Sequence, residues 1–126
     1  MRAVGVQVGV DDAAAVLARL QYDGARVFIG AGRLDDAMAR IDGVAETFRG
    51  IDAFGEALHA DLLRGELLLR MGRPGPAEPV LRQVLGSAPH DSQARENAAW
   101  LLSEALEALG RKAEAEEVRR QHGLDG

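Results

Sequence analysis

The sequence predicts an all-α protein, built as three antiparallel helix pairs stacked into a short solenoid. The first observation behind this is a recurring phrase. Gly32-Arg33-Leu34-Asp35-Asp36-Ala37, Gly72-Arg73-Pro74-Gly75-Pro76-Ala77 and Gly110-Arg111-Lys112-Ala113-Glu114-Ala115 follow one another at spacings of 40 and then 38 residues. A fixed-period echo marks one supersecondary unit used three times. The second observation is composition. Hydrophobic residues make up 47% of the 126-residue chain and aromatic residues 4%, so the core must be built from Leu, Ala and Val, a mixture that with abundant Arg and Glu favours helices. The third is that apolar residues between the glycines repeat at helical rather than strand spacing.

An extension over residues 1–10 precedes the repeats, which occupy 11–126 with units at 11–50, 51–90 and 91–122. In the extension Val4, Val6, Val8 and Val10 alternate with Gly5, Gln7 and Gly9. That period-two pattern predicts extended chain, a poorly ordered terminal stub. From an N-cap at Asp11 or Asp12, Val16, Leu17, Leu20, Ala25, Val27 and Phe28 predict the first helix, ending at Gly32. Asp35 and Asp36 suit the first turn of its partner, where carboxylates meet the positive helix end, and an apolar stripe from Leu34 to Phe48 carries that helix to Gly50. The second pair begins near Asp52 with a long helix through Phe54, Leu58, Leu62, Leu68 and Met71. Its partner opens with Pro74, Pro76 and Pro79, tolerated where the first amides lack intrahelical acceptors, and Pro89 closes the unit. The third pair starts at Asp91 or Ser92, runs through Ala98, Trp100, Leu102, Ala105 and Leu106 to Gly110, and returns to His122. Its last helix is polar, with Ala113, Ala115 and Val118 as the seam, and suits a solvated cap on a stack.

Composition also sets limits on function. A net charge of −5 argues against a nucleic-acid footprint, which needs a concentrated positive face. Without Cys there are no disulfides, thiolate metal sites or thiol nucleophiles. No apolar run approaches the roughly 18 to 20 residues that span a bilayer, so the expectation is a cytoplasmic protein without membrane contact. All basic residues but Lys112 are Arg, a bias we attribute to a GC-rich bacterial genome.

Aligned on the three corner glycines, small residues Ala25, Gly65 and Ser103 stand seven positions before them. Large ones, Phe28, Leu68 and Leu106, stand four before, and Ala37, Ala77 and Ala115 five after. This order resembles the tetratricopeptide repeat over residues 12–122, nearly the entire chain. The usual unit of that family is about 34 residues, so these are similar to its extended branch, found in bacterial regulators and some motor and polarity adaptors. Departures are the missing early Trp, the absence of a Pro closing the first unit, and Arg119 where the third return helix should carry a large apolar residue.

The resemblance implies a right-handed stack whose first helices line a concave face for extended peptides or partner helices. Its groove positions fall on Arg19, Tyr22, Asp23 and Arg26 in the first unit. In the second they fall on His59, Leu62, Leu63, Glu66 and Arg70, and in the third on Asn97, Trp100, Leu101 and Glu104. The subset of the family that clamps a C-terminal carboxylate needs Lys and Asn at set places. Those places hold Tyr22, Arg26, Leu63, Asn97 and Leu101 here, so such a clamp is not supported. Trp100 has two readings, a groove anchor or a core residue packed between the second and third pairs.

Chemistry finds little foothold. Val27-Phe28-Ile29-Gly30-Ala31-Gly32 imitates the Gly-rich turn of a dinucleotide fold, but the third glycine position holds Asp35, and with Asp36 two carboxylates would confront a pyrophosphate. The histidines His59, His90 and His122 lack a His or Cys partner at i+3 or i+4 for a zinc site. Asp11/Asp12 and Asp35/Asp36 sit at expected helix starts, and capping accounts for them. No nucleophile elbow or phosphate loop is present. The expectation is therefore a non-enzymatic interaction module with no cofactor or metal, complete or a piece of a longer bacterial regulator. The alternative is a self-assembling structural module, a homodimer through exposed repeat ends; a catalytic helical domain is the residual third class.

Overall fold

The computed structural model describes the backbone of residues 2–124 and the side chains of residues 12–124. Every regular element is a helix, and no strand occurs among the described residues. The order is α1 (Arg2–Gly30), α2 (Leu34–Ile41), α3 (Val44–Gly50), α4 (Phe54–Arg70), α5 (Pro74–Ser87), α6 (Gln93–Ala108) and α7 (Lys112–Gln121). The chain divides into two compact units, Met1–Ala60 and Asp61–Gly126.

The three repeated glycines are corners. Gly32, Gly72 and Gly110 take φ of 75°, 73° and 79°, the left-handed region open to glycine without steric cost. Each corner closes with the same two bonds. Arg33 N–H donates to Phe28 C=O (2.8 Å) and Gly32 N–H to Ile29 C=O (3.0 Å). Arg73 and Gly72 repeat this on Leu68 (2.9 Å) and Leu69 (3.0 Å), and Arg111 and Gly110 on Leu106 (2.8 Å) and Glu107 (2.9 Å). This is the Schellman cap, which satisfies carbonyls a helix end would otherwise leave orphaned. The arginine of the phrase then folds back onto the new helix: Arg33 pairs with Asp36 and Arg111 with Glu114, each at 2.7 Å. The segment from Val27 to Gly30 is helical, which removes the strand that a dinucleotide turn would need.

In the first unit α1 packs on α2 and α3, and Ala18, Ala25, Ala37, Ile41, Val44, Ala45 and Phe48 are buried at 5% exposure or less. Three expectations are corrected. Residues 2–10 are helical and continuous with α1 rather than extended, because a lone strand leaves its amides without partners whereas a helix pairs them internally. Asp12 is consequently mid-helix and not a cap, while the side chain of Asp11 lies outside the described residues. The helix expected from Leu34 to Gly50 is broken: Asp42 is extended (ψ 129°) and Gly43 left-handed (φ 78°). Asp-Gly is a strong turn signal. The apolar stripe survives the break, with Ile41 on one side and Val44, Ala45 and Phe48 on the other. Lastly, Val16, Leu17, Leu20 and Val27, expected in the core, are 53% to 70% exposed.

In the second unit α5 packs on α6 and α6 on α7. Gly65 is the close-approach position: a β-carbon there would lie 2.6 Å from Leu81 Cδ2, and Leu81 is fully buried. Pro74 and Pro76 occupy the first turn of α5 as expected, but Pro79 lies inside the helix. Its ring nitrogen cannot donate to the carbonyl one turn back. Ser92, one of two predicted caps, accepts from Arg95 N–H at 3.1 Å. Ser103 is fully buried, and its hydroxyl donates to Trp100 C=O at 2.7 Å. A charged ring ties α5 to the start of α7: Arg111 meets Glu78 at 2.7 Å and Glu114 at 2.7 Å, and Arg82 meets Glu78 at 3.0 Å. The Arg111 hydrogen bond holds the Glu78 carboxyl below its ordinary range, against the opposing effect of burial.

Candidate partner-binding site

Helical spacing puts residues 19, 22, 23 and 26 on one face of α1, and the structure seats the first three around a concavity of about 270 Å³. Arg19, Tyr22 and Asp23 from α1, Phe48 from α3, and Glu56 and His59 from α4 line it. All six belong to the first unit. Phe48, at 2% exposure, closes the floor of the concavity. Around it stand a guanidinium, two carboxylates, a phenol and an imidazole. Arg19 Nη2 bonds Glu56 Oε2 at 2.8 Å, with the two side chains 59% and 44% exposed, so solvent keeps that link weak and exchangeable. His59 Nδ1 lies 2.9 Å from Gly55 C=O; a carbonyl only accepts, so this nitrogen carries the proton, and Nε2 of a neutral ring is an acceptor. An apolar surface rimmed by donors and acceptors of both charges suits an amphipathic side chain and the backbone around it.

Two lining residues escaped the sequence reading. Phe48 belongs to the core stripe by its spacing, and Glu56 stands three residues before His59 on the same helix face, the one signal in the sequence that points to it. Arg26 is exposed but does not line this concavity. Leu62 and Leu63 are corrections: both are 9% exposed and belong to the core, because a helix apolar on this face keeps those residues inside and leaves a partner little to touch.

The second unit holds the other predicted positions. Glu66 bonds Arg70 at 2.9 Å along α4, Asn97 Oδ1 accepts from Gln93 at 2.9 Å, and Glu104 is exposed. Trp100 is 45% exposed, which overturns its core reading. The Arg119 guanidinium lies 5.5 Å from the indole centroid and bonds Glu107 at 2.5 Å. The departure at Arg119 thus has a use, since a cation over an aromatic face is attracted by the ring quadrupole. A further concavity of about 330 Å³ joins His90, Asp91, Ser92, Arg95, Glu96, Gln121 and His122. Burial, then Arg95 and His90, pushes the His122 imidazole below its ordinary value. Among the described residues no three His, Asp or Glu side chains are grouped to hold a metal ion, and no helix is long and apolar enough to cross a membrane.

The chain matches no protein-family model, no curated protein and no solved structure.

Proposed function

We propose that this chain is a non-enzymatic protein-interaction module of tetratricopeptide-like build, which takes a peptide or helix of a partner protein. The observation that carries the reading is the first-unit concavity. Four residues singled out beforehand, Arg19, Tyr22, Asp23 and His59, meet there beside the buried Phe48 ring. Support for the repeat architecture comes from the three Schellman corners and the fully buried Ala25, Ala37, Ala77, Ser103 and Ala115 at matching register. Glu66, Arg70, Asn97, Trp100 and Glu104 form a second set of candidate contacts.

Aromatic anchors beside a desolvated pocket carry a large share of binding energy. Affinity capture from the native host should identify a partner, whose binding to purified chain is then measured by calorimetry. Tyr22→Ala and His59→Ala should each weaken it about tenfold or more, equivalent to about 1.4 kcal/mol, with unchanged circular dichroism. A partner bound equally well by both variants would place the contact elsewhere.

A further inference from the structure

The outer face of α1 is apolar and uncovered. Val16, Leu20 and Val27 fall within about 40° of one another around a helix of 3.6 residues per turn, with Ala13, Gly24 and Leu17 beside them. Val16, Leu17, Leu20 and Val27 are 53%, 60%, 60% and 70% exposed, whereas Ala18 and Ala25, on the opposite face, are buried. One flank of the stripe carries Asp12, Arg19, Asp23 and Arg26. Their signs run minus, plus, minus, plus, so the series read backwards is its own complement.

That order is what an antiparallel two-fold contact requires, since the same patch must meet itself in reverse. We propose that α1 is the interface of a homodimer, antiparallel and centred on Leu20. In this register residue i lies opposite residue 40 − i of the second copy. Leu20 meets its own mate, Val27 meets Ala13, and Val16 meets Gly24, so both valines face a small residue. Along the flank Arg19 faces Asp23 and Asp12 faces Arg26, each offset by two residues, about 3 Å of helix rise, a distance an arginine spans. Arg19 keeps Glu56 as its partner within the chain and adds a second carboxylate. A parallel two-fold pairing puts the two charged flanks on opposite sides of the seam, each against Leu17 and Gln21 of the other edge, where its charges find no partner, so the charge order selects the antiparallel one.

The chain lacks cysteine, which permits a direct test by sedimentation and oxidative cross-linking at about 100 µM, where a micromolar dissociation constant leaves mostly dimer. Leu20→Cys should cross-link to itself. Val27→Cys should not, because its mate lies about 21 Å away along the helix axis, yet it should cross-link when mixed with Ala13→Cys. Leu20→Glu should give a monomer of unchanged helicity. Asp12→Arg should weaken the dimer, and Asp12→Arg with Arg26→Asp should restore it. A chain monomeric at this concentration overturns the proposal, as does a dimer that survives Leu20→Glu. Equal self-cross-linking at residues 20 and 27 would mean a parallel contact and overturn it too. None of these substitutions alters a residue lining the first-unit concavity, but Arg19 and Asp23 belong to both surfaces, so partner binding is measured separately on the Leu20→Glu monomer.

Discussion

Gly65 and Gly86 are both helical glycines, yet they differ in what surrounds them. A methyl group on Gly65 would strike Leu81 Cδ2 and Cγ at 2.6 and 2.9 Å, and Leu81 has no exposure through which to retreat; beside Gly86 nothing lies within 4 Å. Gly65→Ala should therefore lose about 1 to 3 kcal/mol from overpacking, outweighing the roughly 1 kcal/mol that alanine gains in a helix. Gly86→Ala should gain about 0.5 kcal/mol. Urea unfolding of the pair measures both signs, and a stabilised Gly65→Ala would refute the close approach. Register made Gly65 legible, because it shares its place before the corner with Ala25 and Ser103. The left-handed corner after α3 was hidden: Asp52, with φ 59°, does there what glycine does elsewhere. No repeat of the Gly-Arg phrase marks it.

Helices are bounded by backbone chemistry, and their ends were legible where that chemistry was loud. The Gly-Arg corners, the Ser92 cap and the chain before Pro89 were each legible in the sequence. The break at Asp42–Gly43 was masked by an apolar stripe running straight across it, which periodicity alone reads as one helix. In α5 the misjudged residue is Pro79, set one turn beyond the positions where a missing amide is harmless. It is exposed, so Pro79→Ala adds a backbone bond without disturbing the core. A gain of about 1 to 2 kcal/mol is expected, part of the full interior-proline penalty of about 3 kcal/mol because the site lies near the helix start. Thermal melting checks it; a lower midpoint would show that Pro79 stabilises α5.

Across the molecule, acid should weaken the fold in two steps. His122 is held below its ordinary value near 6.5, so the unfolded chain takes up that proton first, and stability falls as pH drops through and below that value. Glu78 and Glu114 are held below their ordinary 4.5 by the Arg111 hydrogen bonds. Their contribution is present above that pH and fades as pH falls beneath it. Denaturant midpoints should decline from pH 7.5 to 5.5 to 3.5, with the first step reduced in His122→Gln; a maximum at pH 5.5 would contradict this. The all-helical class was legible from spacing and composition, whereas the exposed outer face of α1 was not, because apolar residues at helical spacing look alike whether they face a core or water. Tyr22 and Trp100 are the only residues of their kinds, and each unit holds one. Ultraviolet emission can thus report on the halves separately: tyrosine light follows the amino-terminal unit. The indole, already wet in the native state, signals loosening of the carboxy-terminal one through departure of its Arg119 cap rather than a large shift in colour.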